Sequence, residues 1–282
     1  FSVAGNVVAY NNDWQYPAIT EKHAYDKALE LLPAAENILY VGFPWATLID
    51  RLNNNSDDAH ELFDYLLSLE LPKRPGLKIV TVSQHIFTLA YSELFFEAGI
   101  TDIFWSHAVK NQSLIRGSGQ IEIHPFPLYP VQCTETPSLL ECHSRKYLFS
   151  FVGAKANKWY LTRARDWILE ILPNDHRGFV IGRDNWHYNK VVYDHQIRKN
   201  TDAGDQLIDD QASLQFSQIM ADSVFALCPS GSGPNSIRLW EAIGMGAIPV
   251  IRADTYDPPG DPEMWNAAAV FCKETPDAVR EL

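Results

Sequence analysis

Short apolar, β-branched runs alternate with longer stretches of helical spacing along nearly the whole chain, and this alternation constrains the fold most. In the first half the runs are NILYVGF (37–43), LKIVTVS (77–83), DIFW (102–105) and QIEIHPF (120–126). In the second they are YLFSFVGA (147–154), GFVIG (178–182), SVFALCP (223–229) and AIPVI (247–251). Helices are expected over 57–70, where Leu62, Phe63, Leu66, Leu67 and Leu69 form a stripe, and over 86–97, 158–171, 213–221 and 236–245. Pro44-Trp45 reads as a loop and 183–212 as irregular. Strand-helix alternation is the pattern of βαβ units, so an α/β fold with parallel sheets is expected.

At roughly 150 residues per domain, 282 residues suggest two domains. The Pro-rich stretch from His124 to Pro137 supplies the seam, because proline removes backbone donors and blocks helix. The domains are expected over 1–135 and 136–282, with the terminal helix read as incomplete at DAVREL. A hydrophobic content of 46% excludes disorder. A net charge of −12 argues against a nucleic-acid partner, which needs a basic face. There is no apolar run of about 18 residues, hence no expected transmembrane segment. The start at Phe1, without a basic leader, reads as an excised or processed segment of a larger chain. Cys133, Cys142, Cys228 and Cys272 lack C-x-x-C spacing, so neither zinc nor a disulfide framework is expected. A reducing, cytoplasmic location follows, with the inner membrane face as a variant; the sequons at Asn54 and Asn111 would matter only in a secretory lumen.

The stretch FALCPSGSGPNSIRLWEAIGMGAIPVI (225–251) carries the chemistry. A strand runs into Ser230, Gly231, Ser232, Gly233, Pro234 and Asn235, and a helix starts near Ser236. Backbone N–H groups of such a loop and of the helix start suit a diphosphate. Arg238 and Glu241 share one helix face, Arg for phosphate and Glu for a ribose diol. The plain alternative is an ordinary turn with a surface Arg–Glu pair. As a dinucleotide fingerprint, Gly231-x-Gly233-x-x-Ser236 is degraded and lacks its ribose acid, which argues against an oxidoreductase.

Cys228-Pro229, the Gly231–Pro234 loop, Ser236-x-Arg238-Leu239-x-Glu241-Ala242, Gly246 and Ile248-Pro249-Val250 together resemble the C-terminal signature of exostosin-like glycosyltransferases. FSFVGA (149–154), followed by Arg163 and Arg165, and HPFPLYP (124–130) are similar to the opening of that family's donor domain. The resemblance covers 124–254 and is much weaker over 1–120. It implies a GT-B fold, two Rossmann-like domains with parallel sheets facing across a cleft. It further implies an inverting, metal-independent transfer from a nucleotide-sugar donor to a glycan or glycolipid acceptor. UDP-linked donors are the family default, and a CMP-linked acidic sugar stays open. Ser236, Arg238 and Glu241 would contact phosphate and ribose, with the 230–235 loop beneath and Arg163 and Lys155 as further phosphate ligands. The absence of an anchor favours a bacterial polysaccharide enzyme. No Asp-x-Asp occurs, consistent with charge supplied by Arg, Lys and helix termini.

An inverting transfer needs a base on the acceptor side. Four residues are candidates: Asp50, His85 after IVTVS, His107 after DIFW, and Asp13 in NNDWQYP. Trp14, Trp45 and Trp105 could stack on a sugar or merely pack. His124 lies at the seam. His187 and His195, with Asp184 and Asp194, match no zinc spacing. The competing reading is a non-catalytic nucleotide- or glycan-binding module of a larger synthase.

Overall fold

A computed structural model of the protein describes residues 2–32, 36–69, 71–72, 74–133, 144–186, 188–199 and 207–282. Cys142, Pro137 and His187 lie outside the described residues. The chain divides into two compact units: 1–127 with 196–199, and 128–195 with 200–282.

Unit 1 is built on seven strands: β1 (Ser2–Ala4), β2 (Val7–Ala9), β3 (Ile38–Gly42), β4 (Lys78–Ser83), β5 (Asp102–Trp105), β6 (Leu114–Arg116) and β7 (Gln120–Pro125). Their order is β1-β2-β3-β4-β5-β7-β6. The five central strands are parallel, and β1 and β6 close the edges antiparallel. The sheet is covered on both faces, so its strands read as continuous apolar runs. Tyr40 and Val80 face α1 (Thr20–Leu31), while Val41 and Ile79 pack with α2 (Trp45–Asn53), α3 (Asp58–Leu67) and α4 (Ser92–Glu97).

Unit 2 has five parallel strands: β8 (Tyr147–Ala154), β9 (Gly178–Arg183), β10 (Ser223–Pro229), β11 (Ile248–Arg252) and β12 (Val270–Phe271). The order is β12-β11-β10-β8-β9. The chain steps from β8 outward to β9, then crosses back to lay β10 on β8's other side. That reversal is a topological switch point, and ligands of open α/β sheets gather outside the strand ends there. The connecting helices are α5 (Ala164–Ile171), α6 (Asp210–Ala221), α7 (Ile237–Gly244), α8 (Pro262–Ala268) and α9 (Pro276–Arg280). Both units are Rossmann-like α/β folds, the pair of sheets that a GT-B enzyme requires. Among the described residues no helix is long and apolar enough to cross a membrane.

Several local expectations are corrected. Pro44-Trp45 is no open loop: Trp45 begins α2 and is fully buried, donating to Thr81 Oγ1 at 2.8 Å. The helix expected over 158–171 starts only at Ala164. Ahead of it the Asn157 side chain takes the N–H of Trp159, and the Leu161 N–H goes to Gly231 O, so the backbone is committed elsewhere. The 86–97 segment opens as a 3-10 turn (Thr88–Tyr91) before α4. The stretch 183–212 contains a π-helix, Lys190–Ile197, and α6 begins at Asp210 because Asp209 caps it, accepting from Ala212 N at 2.9 Å.

Candidate functional site

Within the 225–251 signature β10 ends at Pro229, and the loop that opens there leads into α7. Ser230, Gly233, Pro234 and Asn235 are buried, so the loop is packed against the strand ends rather than splayed on the surface. Ser236 is the N-cap of α7 with extended backbone, and its hydroxyl makes no capping bond. The Gly231 N–H donates to Gly233 O, and Asn235 Oδ1 accepts from Trp240. Ser230 donates both its N–H and its hydroxyl to the Glu274 carboxylate.

Two guanidinium groups are buried beside this loop. Arg238 is 8% exposed and lies over Phe151 at 4.7 Å and Phe216 at 5.3 Å. Arg165 is also 8% exposed, lies over Tyr160 at 4.6 Å, and donates to Ser230 O at 3.2 Å and Ala154 O at 3.1 Å. Burial, then the charge of Arg165, pulls Arg238 down to about 10. Arg165 is lowered by burial as well. Arg238 Nε is buried without a hydrogen-bond partner among the described residues. An unsatisfied buried donor is costly, and a diphosphate placed here would satisfy it.

The surface-pair alternative for Arg238 and Glu241 is overturned, because both are buried. Glu241 has a backbone partner: its Oε1 accepts from the Gln132 N–H at 3.1 Å. Burial raises its carboxyl to about 7, against the opposing pull of Arg238 and of the backbone donors. Arg163 is not brought to the loop. It is exposed and pairs with Asp166 and Glu170, both at 3.4 Å. Arg165 takes the inward position because α5 begins at Ala164, which aligns Arg165 with the buried Ile168 and Leu172 at i+3 and i+7. A correct helix start would have found it in the sequence. Lys155, just past β8, is exposed and paired with Asp184 at 2.8 Å. It lines a cavity of about 1300 Å³, together with Arg183, Asp184, Trp186, Asp209 and Gln215. His195 is exposed and Asp194 lines the same cavity.

In unit 1 the candidate bases gather at the carboxyl ends of β3, β4 and β5. His85 Nε2 lies 3.1 Å from Asp50 Oδ1. Gln15 donates to Asp50 Oδ2 at 2.5 Å. His107 is 7% exposed, and burial, then the nearby His85, pushes it down to about 3. Asp13, with φ at 57°, is drawn instead to Arg51 at 3.4 Å and to the Tyr10 hydroxyl at 3.1 Å. Sequence reasoning missed Glu21, which is 2% exposed and accepts from the N–H groups of Gln84 at 3.0 Å and Ala46 at 3.2 Å. Burial raises its carboxyl to about 8. A lone Glu in an otherwise polar first turn gives no sequence signal of such burial. Trp45 and Trp105 are packed inside, not offered to a sugar, and Trp14 stacks on Tyr25 at 6.0 Å. His124 belongs to a separate cluster with Asp102 and Glu122, where the Lys78 ammonium lies 2.9 Å from Asp102 and 3.1 Å from Glu122.

Comparison with known proteins places these features. Residues 81–278 match the exostosin GT47 domain. The chain is 26% identical over 158 residues to a Caenorhabditis elegans exostosin-1 homolog, covering 54% of this chain and 38% of that protein. It is 31% identical over 109 residues to a probable glycosyltransferase of Arabidopsis thaliana, covering 37% of this chain and 23% of that protein. The matches thus span well under half the length of either relative. With two Rossmann-like units and a matched domain over most of its length, the chain belongs to the exostosin GT47 family of glycosyltransferases.

Proposed function

We propose that the protein transfers a sugar from a nucleotide-sugar donor to a hydroxyl of a glycan or glycolipid acceptor, with inversion at the anomeric carbon and without a resident metal. The observation that carries this reading is the buried Arg165–Arg238 pair at the switch point of unit 2, beside the 230–235 loop. Charge develops on the leaving phosphates during transfer, and preorganised guanidinium and backbone donors stabilise it in a dry site. This is the role a divalent cation takes elsewhere. The cavity of the same unit, with Lys155 just past β8 and Arg183 on its wall, offers room for the remainder of the donor. UDP-linked sugars are the first donors to test, and CMP-linked acidic sugars the second.

Calorimetric titration with UDP, GDP and CMP tests the donor site: one of the three is expected to bind, and failure of all three sinks the assignment. Arg238→Ala should abolish that binding. Because the matched relatives are much longer, the protein could serve as a binding module of a larger synthase. Nucleotide binding without turnover on any donor would favour that second reading.

A further inference from the structure

We infer that Asp50 is the base that deprotonates the acceptor hydroxyl, with His85 and Gln15 as its positioning residues and His107 as a hydrogen-bond acceptor for a neighbouring hydroxyl of the same sugar. The inference rests on the transferase reading above and deepens it by naming the acceptor machinery of unit 1.

The hydrogen bonds decide among the four candidates. The Phe87 N–H donates to His85 Nδ1 at 3.1 Å, so that lone pair is used and the ring proton sits on Nε2. Nε2 then donates to Asp50 Oδ1 at 3.1 Å. With both nitrogens occupied, His85 has no free site for an incoming proton; it orients Asp50 instead. Gln15 Nε2 holds the other carboxylate oxygen, and Gln15 Oε1 accepts in turn from Gln84 Nε2 at 2.9 Å. Gln84 is itself anchored to Ala18 O at 2.6 Å. The donors on Asp50 are thus an amide and an imidazole; no Lys or Arg ion-pairs with it among the described residues. Each carboxylate oxygen retains a second lone pair. Asp50 is also mostly buried, its side chain 16% exposed.

His107 complements it. Its Nδ1 is buried with no hydrogen-bond partner among the described residues, and the ring stays neutral far below physiological pH. Such a nitrogen accepts a hydrogen bond and cannot serve as a base. Asp50 and His107 both lie beside His85, and two acceptors with no donor of their own to offer fit a ligand rich in hydroxyl donors. Glu21 ties the two segments together, since it accepts from Gln84, which precedes His85, and from Ala46, one turn before Asp50 on α2. Asp13 is excluded by its Arg51 and Tyr10 partners.

In the step itself the Asp50 carboxylate takes the acceptor's hydroxyl proton as the oxygen bonds the anomeric carbon. The bond from that carbon to the donor's phosphate oxygen breaks, and its electron pair leaves with the nucleoside diphosphate. Asp50 then releases the proton to water.

The test compares the full chain with Asp50→Asn, Asp50→Glu, His85→Ala and His107→Ala. Turnover is followed with UDP-linked glucuronic acid, N-acetylglucosamine, galactose and xylose against aryl β-glycosides, and nucleotide affinity by titration. Asp50→Asn should lose about 10²–10⁴-fold in kcat with nucleotide affinity within twofold of wild type, and Asp50→Glu should recover part of the loss. His85→Ala should shift the acid limb of the pH–rate profile, and His107→Ala should raise acceptor KM more than it lowers kcat. Wild-type kcat in Asp50→Asn, with the wild type active, overturns the base assignment and leaves the transferase reading standing. The base assignment falls equally if Asp50→Asn loses nucleotide affinity and Asp50→Glu recovers nothing. No turnover by the wild type on any donor overturns both.

Discussion

Gly153 and Arg238 are complementary: β8 gives up a side chain where α7 inserts a guanidinium. A Cβ on Gly153 would overlap Arg238 Nη2. Gly153→Ala should therefore displace the guanidinium from Phe151. Overpacking of this kind costs about 1–3 kcal/mol. A lowered melting temperature together with weakened nucleotide binding is expected, and calorimetry on the variant reads both. Unchanged affinity would show that Arg238 need not lie where β8 places it.

Arg165 and Arg163, two residues apart, should separate cleanly. Arg165→Ala removes a buried charged donor, a loss worth about 1.5–3 kcal/mol, or roughly 10- to 150-fold in nucleotide affinity. Arg163→Ala breaks only exposed pairs, which contribute about 0–1 kcal/mol. Its affinity should stay within twofold. A reversal of this order in titration would reinstate Arg163 as the phosphate ligand.

Stability should respond to pH through Glu21 and His107 in opposite senses. Between pH 4.5 and about 8 the folded protein holds a proton on Glu21 that the unfolded chain has lost, so stability falls as pH rises. The slope from this one group is up to about 1.4 kcal/mol per pH unit. Between pH 6.5 and about 3 the unfolded chain protonates His107 while the folded protein does not, so stability falls as pH drops. Denaturant melts from pH 4 to 8 should show Glu21→Gln flattening the alkaline loss and His107→Gln flattening the acid one. Parallel curves for wild type and both variants would contradict these shifts.

Trp45 is a packing residue, and its truncation should be severe. It is fully buried, lies 4.1 Å from the Phe95 ring and 4.9 Å from the Phe43 ring, and donates to Thr81. Trp45→Ala should cost about 3–5 kcal/mol in chemical denaturation. A loss below about 1 kcal/mol would mean that the indole is free for another purpose.

The central strands were legible because burial on both faces leaves continuous apolar runs, as in β4 and β10. The β1–β2 hairpin, β6 and β12 escaped notice, since strands of two or three residues carry too few side chains for any period. α1 was missed for a different reason. Its inward face includes Thr20 and Glu21, so its apolar stripe is broken by polar groups that are satisfied only in the fold. The loop 230–235 and Arg238 could be read locally, because strand, glycines and helix follow one another. Glu241's engagement with Gln132 spans 109 residues, and Gln84's with Gln15 spans 69. No spacing rule reaches that far.

Of the four outer strands in the two sheets, β1 and β6 have three residues each and β12 two. Among the described residues β9, with six, is the longest of the edge strands. Short edges are how sheet proteins avoid templating one another. By that measure β9 is the edge most able to pair with a second copy of the folded chain, and a charged residue or a proline there is the change that would blunt it.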